Sequence, residues 1–431
     1  MLTHDDNEIL CRVGPGTPMG DLMREYWIPG MLSEELPEAD GAPLRVRLLG
    51  ENLIAYRTTS GQVGVMQESC PHRGASMFFG RNEEEGLRCV YHGWKFDVTG
   101  ACVDMPNEPA ESNFKHKIKA AAYPVRERNG ILWLYMGGRA TPPALPEMEA
   151  NMVPEMPVRM SVIQRECNYM QALEGDIDTS HVGFLHGEIV KRDAAEGTFN
   201  SFMRDKAPRY EVADTDSGTM YGAYRPAGEG QTYWRVANFL MPFYTMTPTG
   251  VLGVDIRMKA WVPVDDDHTL LLSVSCGERA VAAAGNVTPA VHPHKPGFYG
   301  RFNCIQDKAN NYQIDRQLQK TQSYTGVTGI VMQDQMITES MGTVYTRDRE
   351  HLGTSDMMII RTRRRLIQAA KALRDHGVIP SGVDDPGVYA VRTGGVVLPS
   401  DANWIEASAH LRKGFVEHPE LNRTAMMGSF V

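Results

Sequence analysis

Two short segments constrain this chain more than anything else in it: CPHRG at residues 70–74 and CVYHGW at 89–94. Each holds one cysteine and one histidine. They read Cys70-x-His72 and, after sixteen residues, Cys89-x-x-His92. Two thiolates and two imidazoles in glycine-containing loops are a metal-binding set. Zinc knuckles usually keep like ligands together, as C-x-x-C or H-x-x-x-H, whereas both loops here are mixed.

A mixed pair of loops suits a two-iron cluster of the Rieske type. There two Cys hold one iron and two His the other, which raises the potential above that of an all-Cys cluster. Each loop then supplies one ligand to each iron, and Gly74 and Gly93 allow tight turns. The alternatives are a Cys₂His₂ zinc site and a Cys70–Cys89 disulfide, the second of which leaves both histidines without a role.

The other cysteines, Cys11, Cys102, Cys167, Cys276 and Cys304, are scattered and bring the total to seven. That odd count does not describe a disulfide framework, and a reducing cytoplasm is expected. A net charge of -9 argues against a nucleic-acid partner. Asp5, Asp6 and Glu8 stand where a signal peptide would be apolar, and runs such as 130–136 and 236–241 are too short to span a membrane.

The 431 residues suggest two domains. Residues 1–42 are expected to be a helical segment packed on the second domain. Residues 43–140 alternate in short strands punctuated by Gly and Asn, which predicts an all-β domain holding both loops. Residues 141–158 carry five prolines and read as a linker. Residues 159–431 mix strands (207–278) with helices (168–186, 305–321, 327–342 and 355–376, the last with Ser355 as N-cap and Gly377 as stop). The expected class is α+β, an antiparallel sheet with flanking helices.

A second metal motif lies at 168–187, NYMQALEGDIDTSHVGFLHG. His181 and His186 with a carboxylate would leave open positions on Fe(II) for O₂. Asp178 and His181 share a helical face at i, i+3. His186, five residues on, needs a bulge or helix end near Gly183 or Gly187 to turn back. The third ligand must come from elsewhere: Asp334 is the choice, with Glu339 and Glu174 as rivals. Asp178 suits a partner role, accepting the free N–H of a ligating histidine and bridging the two metal centres.

These motifs, in this order, resemble those of Rieske non-haem iron aromatic ring-hydroxylating oxygenase α-subunits. The segments RNEEEGLRCVYHGWKFD, CVDMPNEP, NYMQALEGDIDTSHVGFLH and REHLGTSD are most similar to the phthalate 4,5-dioxygenase oxygenase branch. The resemblance covers nearly the whole chain and implies a Rieske β-domain joined to a helix-grip catalytic domain. It also implies a head-to-tail homotrimer, or a stacked hexamer, in which one subunit's cluster serves its neighbour's iron through Asp178. NADH and flavin belong to a separate [2Fe–2S] reductase, in keeping with the lack of a GxGxxG fingerprint here.

The expected reaction is cis-dihydroxylation of an aromatic carboxylic acid of the phthalate or benzoate kind. An O- or N-demethylating monooxygenase is the alternative, and an electron carrier without catalysis a remote one, since it leaves some 290 residues unexplained. Planar carboxylates favour arginine. Arg225 and Arg235, on candidate strands, are the first choices, then Arg209 and Arg204, with Ser180 and Asn168 as polar candidates. Trp234, Phe239, Phe243 and Tyr244 are candidate aromatic wall residues or core.

Overall fold

Alternating apolar residues between residues 27 and 135 produce three small antiparallel sheets. The computed structural model describes residues 2–109, 111–154, 156, 158–187, 202–276, 301–419 and 421. Helices α1 (His4–Cys11) and α2 (Pro18–Arg24) come first. The strands that follow are β1 (Trp27–Leu32), β2 (Leu44–Leu48), β3 (Glu51–Arg57), β4 (Val63–Gln67), β5 (Arg81–Glu83) and β6 (Gly86–Arg88). After them come β7 (Lys95–Phe96), β8 (Cys102–Asp104), β9 (Ala122–Tyr123), β10 (Val125–Arg128) and β11 (Ile131–Tyr135). Their orders are β1-β11-β10, β2-β3-β4-β9 and β5-β6-β7-β8. The stretch from Trp27 is a strand paired with Ile131–Tyr135, not part of the helical segment expected over 1–42. Its WIPGML run is buried throughout although it lies at one edge of that sheet, because the shared core covers it.

The fourth sheet is antiparallel and larger. It comprises β12 (Val158–Arg165), β13 (Arg209–Asp214), β14 (Gly218–Pro226), β15 (Gln231–Leu240), β16 (Tyr244–Met246), β17 (Ile256–Pro263), β18 (Thr269–Cys276) and β19 (Gly394–Pro399). The order is β12-β18-β17-β16-β15-β14-β13, with β19 also paired to β15. Helices α3 (Tyr169–Ile177), α4 (Arg316–Thr321), α5 (Ile330–Ser340), α6 (Met357–His376) and α7 (Trp404–Ala407) complete the chain's regular elements among the described residues.

Strand parity sorts the side chains of β14 and β15. Met220 and Tyr224 share a face with Trp234, whose ring stacks on Trp404 at 5.2 Å. Tyr221, Ala223 and Arg225 share the other with Arg235 and Ala237. The Thr219–Thr362 hydroxyl contact at 3.0 Å holds α6 to this second face. Asp176 of α3 anchors that helix to the sheet, accepting from Thr245 (2.8 Å), Lys259 (2.7 Å) and Trp261 (2.8 Å).

The two halves share one core, in which Leu48, Leu53 and Trp133 belong to the same cluster as Tyr221, Phe239 and Trp261. An ion pair at 2.9 Å joins Arg47 of β2 to Asp265 in the turn after β17. Helix α6 begins at Met357 with Asp356 as N-cap, two residues past the expected start, and ends at Gly377 in the left-handed conformation (φ 65°). No helix among the described residues is long and apolar enough to cross a membrane.

Candidate metal centres

The two Cys/His loops have the same backbone design. In each, the cysteine amide donates to the carbonyl five residues on (Ala75, 2.9 Å; Trp94, 2.8 Å), and the glycine amide returns to the cysteine carbonyl at 2.9 Å. Gly74 (φ 75°) and Gly93 (φ 79°) make these turns in the region that favours glycine. A Cβ on Gly93 would also meet Pro106 at 2.5 Å.

The loops bring the His72 and His92 rings to 4.4 Å. His72 stacks on Trp94 at 4.3 Å, and the Trp94 indole donates to Asn107 at 2.7 Å. Cys70 and Cys89 are buried, while Val90 and Tyr91 at the loop tip are exposed. Burial, with Cys89 alongside, pushes the Cys70 thiol up to about 11. A thiolate there needs a metal's positive charge. The Nδ1 of His72 is buried with no hydrogen-bond partner among the described residues. These donors fit an iron–sulfur cluster, which would take both thiolates and that nitrogen.

At the second centre helix α3 stops at Ile177, short of the helix expected through 186. Asp178 is its C-cap, and its Oδ1 takes the Ser180 amide at 2.6 Å, a side-chain turn that competes with continued helix. A 3₁₀ turn, His181–Gly183, follows. The His181 carbonyl accepts from both Phe184 and Leu185, and this reversal returns His186 toward His181. Of the bulge or helix end expected here, the structure has the helix end.

His181, His186 and Asp334 have ligand atoms all within 4.8 Å of one another, the only such trio among the described residues. Asp334 Oδ1 lies 3.0 Å from His186 Nε2 and 3.7 Å from His181 Nε2. Two neutral nitrogens and one carboxylate with an open side suit Fe(II). Burial disfavours charge on both Asp334 and His181. The histidines beside it still hold the Asp334 carboxyl below its ordinary value, and Asp178 and Asp334 raise His181. Glu174 is instead locked between Arg347 (3.1 Å) and Arg363 (2.6 Å). Glu339 accepts from the Glu166 amide and the Tyr312 hydroxyl.

The family model described as Rieske [2Fe-2S] domain matches residues 26–124, and the one described as LigXa C-terminal domain like matches 134–424. This chain belongs to the Rieske oxygenases. The 3-chlorobenzoate-3,4-dioxygenase oxygenase subunit of Comamonas testosteroni is 44% identical, over 95% of this chain and 99% of its own length. The phthalate 4,5-dioxygenase oxygenase subunit of Pseudomonas putida is 37% identical over 93% and 91%. The structure of dicamba monooxygenase bound to dicamba matches 82% of this chain and 98% of its own with a TM-score of 0.59; at 19% identity this is a likeness of fold. This Rieske oxygenase is an oxidoreductase that incorporates O₂, the oxygenase component of a system that needs a reductase. Its cofactors are a Rieske [2Fe–2S] cluster and a mononuclear iron.

The structure sorts the remaining residues of this oxygenase by strand parity and burial. Arg225 and Arg235 are both buried, on one face of β14 and β15. Tyr210 joins that face from β13, opposite Ala223, and its hydroxyl meets Ser180 Oγ at 2.6 Å, beside the iron motif. Val182 packs against the same region with Met203 and Tyr233. Arg225 donates to the Asp205 carbonyl at 2.7 Å, while its Nη1 is buried without a hydrogen-bond partner among the described residues. Burial and neighbouring Arg235 push its guanidinium down to about 10.

Several candidates belong elsewhere. Arg209 lies opposite Tyr224, one residue out of phase with Tyr210, and is exposed; Arg204 is exposed too. Asn168 is the N-cap of α3: its oxygen takes the Met170 amide, and its nitrogen donates to the carbonyls of Cys11 (2.9 Å) and Asp266 (2.7 Å). Trp234, Phe239, Phe243 and Tyr244 are core residues. Sequence reasoning missed Tyr210 and Gln333. Alternation separates Tyr210 from Arg209 but does not say which faces the iron motif; the place beside Asp334 was the only signal for Gln333.

Proposed function

We propose that this oxygenase cis-dihydroxylates an aromatic carboxylic acid, with Arg225 and Arg235 holding the carboxylate. The observation that carries this reading is the pair of buried arginines on the sheet face that meets the iron motif, with Arg225 Nη1 lacking a partner among the described residues. A buried cation is costly unless an anion answers it, and a planar carboxylate does so in a bidentate way. Relatives named for 3-chlorobenzoate and phthalate support the same class.

Cys70, His72, Cys89 and His92 are the proposed cluster ligands, and His181, His186 and Asp334 those of the iron. Bound there, the two groups supply electrons and O₂ activation. The chain's own work is placement. Arg225 and Arg235 orient the acid, Ser180 and Tyr210 brace the iron motif, and Asp178 bridges the centres by fixing His181. The proposed cluster domain runs from Trp27 to about residue 140 and the proposed iron domain from Val158, where β12 begins, to 431, with the intervening segment joining them and residues 1–26 against the second. The proposed assembly is a cytoplasmic head-to-tail homotrimer, or stacked hexamer, served by a flavin and [2Fe–2S] reductase that uses NADH.

The test is turnover of phthalates, benzoates and methoxy- or N-methyl-aromatics by the iron-replete protein with a surrogate reductase. A dihydrodiol from an acid is expected. Formaldehyde released in step with O₂ uptake would instead make it a demethylase.

A further inference from the structure

Consecutive residues of α5 face the two ring nitrogens of His186. Its Nε2 is 3.0 Å from Asp334 Oδ1, and its Nδ1 is 2.7 Å from Gln333 Oε1. Gln333 is fully buried and His186 nearly so. The Gln333 amide has one workable orientation. Its Nε2 donates to the Val327 carbonyl at 2.9 Å, in the turn before the helix. Flipped, it would set its oxygen against that carbonyl and its NH₂ against the ring. Oε1 therefore faces His186, and Nδ1 must carry the proton. The Nε2 lone pair is left pointing toward Asp334 and His181.

We propose that Gln333 is a positioning residue that selects the tautomer and ring angle of His186 for the mononuclear iron. This rests on the reading that His181, His186 and Asp334 hold that iron. It also makes the two histidines unequal. His181 has a carboxylate behind it, Asp178 at 3.3 Å, whereas His186 has a neutral amide. A carboxylate partner raises the basicity of a ligating imidazole more than an amide does. His186 is thus the weaker donor of the two, by the choice of one residue next to a ligand.

The experiment compares Fe(II) binding to the cluster-loaded native chain, Gln333→Leu and Gln333→Glu. The Rieske EPR signal and the melting temperature of the iron-free protein serve as folding controls. Gln333→Leu removes the acceptor at similar size and is expected to weaken Fe(II) binding roughly 10- to 100-fold and to shift the ligand-field bands. Gln333→Glu restores an acceptor and is expected to recover most of the affinity. Native affinity and unchanged bands in Gln333→Leu would overturn the assignment. A second measurement needs no variant at position 333. With Zn(II) replacing the iron, the histidine ¹H–¹⁵N spectrum should show the His186 proton on Nδ1, identified by its loss in His186→Asn; a proton on Nε2 would overturn the proposal. Asp334→Ala separates the two levels. If it keeps its iron, the ligand reading itself fails. If it loses iron while Gln333→Leu binds normally, only the role of Gln333 falls.

Discussion

Asp178 faces His181 Nδ1 at 3.3 Å with one carboxylate oxygen and takes the Ser180 amide at 2.6 Å with the other. The same side chain thus ends the helix and backs a histidine of the proposed iron site. Asp178→Asn keeps the shape and an oxygen for the turn but removes the charge. It is expected to retain both metal groups and to slow cluster-to-iron electron transfer at least about tenfold. Single-turnover kinetics with a pre-reduced cluster measure this, and an unchanged rate would remove the bridging role.

Asp334 comes from a helix far along the chain from both histidines. Asp334→Ala should lower iron from about three to about two atoms per chain while acid-labile sulfide and the Rieske EPR signal persist. Iron analysis checks it. Iron and sulfide both absent from the native protein would point to zinc in the Cys/His loops.

Arg225→Ala and Arg235→Ala are each expected to raise KM for aromatic acids roughly 10- to 100-fold, the scale of a lost charged hydrogen bond. Iron and cluster contents should not change. Turnover of a neutral substrate should suffer less. Equal losses on acids and neutral analogues would show that the arginines do not serve the carboxylate.

The Asp265–His268 contact at 2.9 Å makes a pH prediction. Burial opposes the charge of Asp265, but His268 and Arg47 hold it down to about 2, and Asp265 in turn raises His268. A raised histidine stabilises the fold fully below its unfolded value of about 6.5 and stops doing so as pH rises through its folded value. The melting-temperature advantage of the native chain over His268→Gln should therefore be largest near pH 5.5 and shrink above neutrality. A difference independent of pH would contradict this.

The Cys/His loops and the His181/His186 pair were legible because those residues lie close in sequence; Asp334, on a distant helix, is brought to the histidines only by the fold. The all-β and α+β halves were legible from alternation and turn residues. Parity was not. Arg209 and Tyr210 are neighbours in sequence, yet one meets solvent and the other the iron motif, and which faces inward depends on what covers the sheet. Trp234 and Arg235 also take opposite faces, although both are buried. Glu174 resembled a ligand because it shares the motif's helix, but its arginine partners lie at 347 and 363, beyond the reach of local pattern. Asn168 stood beside the motif as a polar residue, and its role is to cap the helix.

Asn168 reaches the carbonyls of Cys11 and Asp266, and Tyr169 donates to the carbonyl of Leu10 at 2.9 Å. The start of the iron-motif helix is therefore tied to chain more than 150 residues before it and about 100 after it. Closures of that length come late in folding, because their entropy must be met before the contacts reward it. Iron loading should then be a late event, after the cluster loops have closed over their short local span. A chain lacking residues 2–12, which hold no ligand, is expected to assemble its cluster and still bind iron poorly.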